Sequence, residues 1–455
     1  MTRRHWCCLA LAVLTPLSLW GQQSAASEAA RTPANRPATT TSINDSAGFN
    51  APSPEGLIGA RNLLSWGTNF STGYDDNIAQ TNANRMADTA YVISPHLAIR
   101  REEGRLAMGL SYRPTLLVYQ HQAGYNEQDH DLDFDANFRA TDRLRFGLRT
   151  NVLYRSGLLD SLSGTAPVSG PVSPGLLNDT IVTPFANQFE NNSRADVRYQ
   201  IGPRAAFEVF TTYMLRSFSQ STASSVPLFE TEGGSAGLTY LYQTGPRSTL
   251  GLTYLYEMFH AGAATRVGLD VASISWTLAV TPRLKVNVFG GPVHSGVQGS
   301  ALLALGPSLT LPLPFSHRDW HWAAGGAVTF QTAKNSLRLS ASRQVTDGGG
   351  LIDAVTNDVV EESFERHLAR RWSIEWSAGW QRNTALEAAL DPGEAQGEYG
   401  RILILHAISS LLTAGAGYQF ERQRVGGSIP LGANFDRNFV YFTLVYRFKN
   451  IPLGR

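Results

Sequence analysis

Beyond about residue 61, apolar and polar side chains alternate with period two, in segments of roughly 10 to 15 residues separated by turn residues. Leu250, Leu252, Tyr254, Tyr256 and Met258 alternate with Thr249, Gly251, Thr253, Leu255 and Glu257. Leu132, Phe134, Ala136 and Phe138 alternate with Asp131, Asp133, Asp135 and Asn137, and Trp372, Ile374, Trp376 and Trp380 with Ser373, Glu375, Ser377 and Gln381. Only a strand sends successive side chains to opposite faces in this way. The pattern predicts strands at 62–74, 89–101, 105–120, 129–140, 143–156, 191–201, 204–219, 230–243, 247–260, 265–280, 283–296, 319–331, 335–346, 356–369, 372–384, 396–408, 411–424 and 436–448.

The connections between these strands alternate in length. Tight turns follow every second strand, around residues 102, 141, 202, 244, 281, 332, 370 and 409, and longer segments such as 157–190 and 297–318 lie between them. A soluble sandwich has no reason to keep that rhythm. A membrane-spanning barrel does, with short periplasmic turns and long external loops. The predicted fold is therefore all-β, a transmembrane antiparallel up-and-down β-barrel of about 18 strands, with 16 allowed because 346–371 is poorly patterned. A secreted soluble β-sandwich or solenoid is the alternative.

Composition narrows the field. Only 16% of the side chains are charged, against roughly 25% in ordinary soluble domains, while 43% are hydrophobic. Lys plus Arg number 38 and Asp plus Glu 37, so no basic field exists to hold nucleic acid. The N-terminus has a secretory pattern: Arg3 and Arg4, an apolar stretch from Trp6 to Trp20, then Ser24-Ala25-Ala26. The expected division is a signal peptide at 1–26, a disordered periplasmic segment at 27–60 rich in Ala, Pro, Thr and Ser, and the barrel at 61–455. Cys7 and Cys8 leave with the signal, which removes disulfides and thiolate chemistry. After the first twenty residues no apolar run approaches the roughly 18 to 20 residues of a spanning helix. The expected location is the outer membrane of a Gram-negative bacterium.

In a barrel the apolar set meets lipid and the polar set lines a wet interior. The lumen-lining candidates are Asp131, Asp133, Asp135, Asn137 and Arg139 on one strand, and Arg143, Arg145, Arg149, Asn151 and Arg155 on the next, with Arg194, Arg198 and Arg216 extending the basic side. This places an acidic ladder beside a basic one, either as an ion network stiffening the wall or as a surface that orders sugar hydroxyls or selects solutes by charge. Aromatic residues at strand ends, among them Trp66, Tyr74, Tyr112, Tyr254, Tyr256, Trp372, Trp380 and Tyr446, read as interfacial girdles.

The last strand alternates Val440, Phe442, Leu444, Tyr446 and Phe448 with Tyr441, Thr443, Val445 and Arg447. Its ending, with Tyr446 and Phe448, is similar to the C-terminal aromatic signal read by the barrel-assembly machinery. Three segments, SWGTNFSTGYDDNI from Ser65 to Ile78, QVTDGGGL from Gln344 to Leu351, and RRWSIEWSAGWQRN from Arg370 to Asn383, resemble the outer-membrane β-barrel porins associated with exopolysaccharide export loci. That resemblance implies a channel-like barrel and carries over no catalytic residue. The expected partners are outer-membrane lipid, the assembly machinery, and a polar solute or polysaccharide that crosses the barrel.

Other chemistry is weakly represented. Asp75, Asp76 and Asn77 offer calcium-type oxygen ligands but also suit an Asx turn, and His317, Asp319 and His321 have ligand-like spacing without a further partner. No metal or other cofactor is expected. No G-x-S-x-G, H-E-x-x-H or phosphate-binding loop occurs, so enzyme activity is not expected. A lipid-modifying barrel enzyme and an adhesion or assembly scaffold are the alternatives to a channel.

Overall fold

The structure, a computed structural model, describes residues 62–156, 177, 186–220, 228–262, 265–306, 309–386, 393–426 and 434–453. The proposed signal peptide and the 27–60 segment lie outside the described residues. The first strands are β1 (Asn62–Asp75), β2 (Asp88–Glu103), β3 (Leu106–Tyr119), β4 (Glu127–Arg139), β5 (Leu144–Arg155) and β6 (Ala186–Gly202). There follow β7 (Ala205–Gln220), β8 (Thr231–Gly245), β9 (Ser248–Ala261), β10 (Thr265–Thr281), β11 (Leu284–Gly306) and β12 (Leu309–Gln331). The circuit ends with β13 (Asn335–Gly348), β14 (Ile352–Ala369), β15 (Trp372–Ala385), β16 (Glu394–Ala407), β17 (Leu412–Gly426) and β18 (Phe435–Arg447).

Each strand pairs antiparallel with its chain neighbours, and β1 pairs with β18 from Gly67↔Arg447 to Asp75↔Phe439. The sheet is thereby closed into an 18-stranded barrel, which leaves no free edge around its circumference at mid-height. The residues after β18 continue the seam. A two-residue strand, β19 (Ile451–Pro452), pairs with Leu63 and Leu64 of β1. The Phe448 N–H donates to the Trp66 carbonyl at 3.0 Å, and the two rings stack with centroids 3.4 Å apart.

The distribution of side chains is inverted relative to a soluble protein. Phe442, Ile274 and Leu252 are 66%, 62% and 57% exposed, whereas Ser71, Asp75 and Asn77 are fully buried. A surface of large apolar groups all round a closed sheet, with polar groups inside, is stable only in lipid. The soluble-sandwich alternative is thereby excluded, and the chain is a transmembrane barrel of the outer-membrane type. The expected girdle is present on this outer face. Trp66, Tyr74, Tyr254, Tyr256, Trp372 and Tyr446 are exposed, with Tyr112 and Trp380 half-buried.

One expected loop is a strand. Residues 297–318 continue β11 and β12 as a single long hairpin, paired as far as Gly306↔Leu309. Pro312 and Pro314 suggest a loop because proline cannot donate to a ladder. Here β12 pairs with β13 only from Ala324 to Gln331, so these prolines stand on an edge where no donor is required.

Candidate functional site: the barrel interior

The inner face is identified by a contact between strands that are not neighbours. Arg216 on β7 donates from Nε to Glu190 Oε1 on β6 and from Nη1 to Asp347 Oδ2 on β13, both at 2.7 Å. Strands six positions apart can meet only through the interior. Register then carries the assignment round the wall, because directly opposed residues share a face. Glu190 stands opposite Leu153, and Leu153 opposite Asp131.

By this reckoning Asp131, Asp133, Asp135, Asn137 and Arg139 of β4 point inward with Arg145, Arg149, Asn151 and Arg155 of β5 and Arg194 and Arg198 of β6. Arg143 stands one residue before β5 begins. It stands in the periplasmic turn before β5, where its N–H donates to Thr141 Oγ1 at 3.2 Å and its carbonyl accepts from Gln200. The bond from Gln200 continues the β5–β6 register one step past Leu144↔Tyr199, so Arg143 keeps the parity of Arg145.

The two ladders meet differently from simple cross-strand ion pairs. Asn151 Nδ2 donates to Asp131 Oδ1 at 3.0 Å and to Asp133 Oδ1 at 2.9 Å, so an amide joins two carboxylates along the wall. Asp135 faces Arg149 in register, and both side chains are exposed toward the interior. Room for Asp135 comes from Gly109 on β3, since a Cβ there would lie 2.2 Å from Asp135 Oδ1. We expect Gly109→Val to push this carboxylate aside and to weaken cation preference while the barrel still folds; an unchanged reversal potential would show that Asp135 does not depend on that space. On the basic side Arg194 Nη2 pairs with Glu208 Oε1 at 3.0 Å and its guanidinium lies 4.1 Å from the Phe210 ring centroid.

The interior is not charged or small all round, as the alternation suggested. Phe210, Met214, Leu255, Phe259, Leu269 and Phe289 on β7 and β9–β11 point inward and are buried, in one cluster with Val345 and Ala354 of the β13–β14 hairpin and with Leu177. This apolar sector is a packing seat. β13 leaves β12 at Arg343, and beyond that point residues 344 to 357 are buried at nearly every position instead of alternately. The hairpin folds into the barrel, where both of its faces find partners. That explains the poor patterning of 346–371, and all 18 strands are present.

The tip of this hairpin is Gly348-Gly349-Gly350. Gly349 and Gly350 have φ of +65° and +89°, the left-handed region where a Cβ is penalised. A Cβ on Gly350 would also meet the Phe218 ring at 2.4 Å. The tip is fastened across the mouth by the Arg216–Asp347 pair, by Phe229 N–H donating to the Gly350 carbonyl at 2.8 Å, and by Thr265 Oγ1 donating to Asp353 Oδ2 at 2.7 Å. Sequence periodicity could not reveal this. The only signal was the glycine run itself.

A second segment closes in from β1. Ile78 and Ala79 are buried, and Ile78 packs with Val92, Leu117 and Tyr441 on the inner wall. The carboxylates considered for calcium are engaged by protein groups. Asp75 Oδ2 accepts from Arg437 Nη2 at 2.6 Å, and Asp76 Oδ2 from Arg85 at 2.8 Å. His317 approaches Asp319 at 3.9 Å, while His321 Nε2 lies 3.0 Å from Ser295 Oγ. Among the described residues no group of three potential metal ligands is gathered.

No known protein family and no curated protein matches the chain. Solved structures similar to it include Pseudomonas aeruginosa OpdO, 12% identical over 85% of this chain and 97% of that one, with a TM-score of 0.41. P. aeruginosa OccK9 (OpdG) is 11% identical over 85% and 98%, with a TM-score of 0.43. The Escherichia coli ferric-catecholate import receptor Fiu is 8% identical over 84% and 81%, with a TM-score of 0.40. At such identities and scores, none of these bears on what passes through this barrel.

Proposed function

We propose that the chain is a porin-like outer-membrane channel for a polar solute or polysaccharide, working in exopolysaccharide secretion. The observation that carries this reading is the charged inner wall of β4–β6, which runs from Asp129 near the external end to Arg139 at the periplasmic end. A wall of fixed carboxylates and guanidinium groups presents hydrogen-bonding partners to sugar hydroxyls and an electrostatic filter to ions. The inward hairpin supplies the narrowing at the external mouth. The link to polysaccharide rests on the resemblance of the three segments containing Ser65–Ile78, Gln344–Leu351 and Arg370–Asn383 to export-associated porins. No part of the reading requires catalysis. Tyr446 and Phe448 serve as the assembly signal, the first facing lipid and the second stacked on Trp66.

Planar-bilayer recording of the purified barrel under a salt gradient tests the reading. Asp133→Asn is expected to shift the reversal potential toward anion preference and Arg149→Gln toward cation preference. Both should fold, since partly solvated pairs contribute about 0 to 1 kcal/mol each. Conductance absent in the wild type, with hydrolysis of added lipid, would replace the channel by a lipid-modifying enzyme. Absence of both activities would leave a scaffold.

A further inference from the structure

The outer rim of the barrel treats its arginines in two ways. Over β15–β18 and the first external loop each is matched to a carboxylate: Arg382 to Glu394 at 2.9 Å, Arg424 to Asp436 at 2.9 Å, and Arg85 to Asp76 at 2.8 Å. On β10 and β12 the match is missing. Among the described residues the exposed Arg266 donates only to the Met258 sulfur, at 2.7 and 3.1 Å, and the exposed Arg318 has no carboxylate contact. Both point outward: Arg266 shares its face with His260, and Arg318 shares its face with Trp320 and Trp322, which are 69% and 57% exposed.

Between the two arginines lie two glycines, with the exposed Gln298 of β11 beside them, opposite Arg266. Gly268 and Gly296 stand opposite each other on β10 and β11, and Arg318 stands opposite Gly296 on β12. A Cβ on Gly268 would meet nothing nearer than the Tyr256 hydroxyl at 3.9 Å. Arg318 leans over this floor, its Cγ 4.0 Å from where a Gly296 Cβ would be. From strand spacing and rise, the two arginine Cα atoms lie about 12 Å apart, so their guanidinium groups can approach a shared anion from two sides. Just toward the membrane, His294 packs on Trp320 with ring centroids 5.0 Å apart, and Asp270 is held by the Tyr254 hydroxyl at 2.7 Å.

We propose that this ledge binds a phosphorylated glycolipid of the outer leaflet, with its phosphate on Arg266 and Arg318 and its sugar on the glycine floor against Trp320. The height supports this occupant. The ledge sits next above the exposed rings of Tyr254 and Tyr256, with the apolar Ile274 and Leu252 farther down the same strands, at the height where headgroups begin. The chemistry supports it too, because planar guanidinium groups take phosphate oxygens two at a time, and the glycine floor accommodates a ring.

Native mass spectrometry of the barrel in detergent, with diphosphoryl lipid A added, tests the proposal without reference to conduction. The Arg266→Gln/Arg318→Gln double variant is expected to bind roughly thirtyfold more weakly, about fivefold for each arginine. Arg382→Gln, a rim arginine that already has a carboxylate, should bind as the wild type does, and with dephosphorylated lipid the wild type and the double variant should bind equally weakly. Heat-modifiable migration of each variant confirms that the barrel is folded. Undiminished binding by the folded double variant would overturn the proposal. So would an equal loss in Arg382→Gln, which would reduce the effect to general rim charge, or full competition by inorganic phosphate, which would remove the lipid from the site.

Discussion

An Arg216→Met barrel is expected to conduct more than the wild type, with an unsteady open level, and to be cut by added protease at the Gly348–Gly350 tip. Arg216 is 1% exposed, and its two partners, Glu190 and Asp347, are equally enclosed. Methionine keeps much of the side-chain volume and removes the charge, so two buried carboxylates lose the cation they share. Breaking a buried pair in this way costs about 3 to 5 kcal/mol. The strain falls on the hairpin, whose remaining ties at the tip include two backbone hydrogen bonds and the Thr265–Asp353 contact, and not on the closed ladder of the wall. Adding Glu190→Gln and Asp347→Asn to Arg216→Met should restore the wild-type current in part, because the two buried charges that Arg216 balanced are gone. A steady, wild-type current from Arg216→Met would show that the apolar seat alone holds the hairpin in place.

Phe134→Arg is expected to reduce the amount of assembled barrel sharply, by heat-modifiable migration of outer-membrane fractions. Phe134 lies near the middle of β4, opposite Leu110 of β3 on the outer face. A guanidinium there meets hydrocarbon, at a cost of roughly 2 to 4 kcal/mol near the midplane. The neighbouring inward position gives the contrast. At Asp133, one residue away, loss of charge should spare assembly and alter selectivity. Normal assembly of Phe134→Arg together with failure of Asp133→Asn would mean that the two faces of β4 are exchanged, and with them the whole set of inner-wall residues.

Strand number, strand order and the face each side chain takes follow from period two and from the alternation of short and long connections. Both are local properties, and hydrogen bonding between sequential hairpins converts them directly into an up-and-down barrel. Asp131 and Arg149 could therefore be placed on one wall from sequence, and the register agrees. The hairpin of 297–318 was missed because proline forbids a central strand but not an edge, and whether β12 has a partner there is decided by where β13 leaves it.

What only the tertiary structure decided is the content of the barrel. A side chain that points inward at Leu255 or Phe289 contradicts the rule of a polar lumen until another segment is present to cover it. The same holds for residues 344 to 357, whose two buried faces erase the alternation from which strands are read. The pairing of Arg216 with Asp347, 131 residues apart, has no local signature, because it exists only when the sheet has closed and brought β7 and β13 to opposite sides of one enclosed space. Sequence determined the wall, since each strand reads its own neighbours. Closure determined the interior, since what fills it comes from segments that meet only after the wall is built.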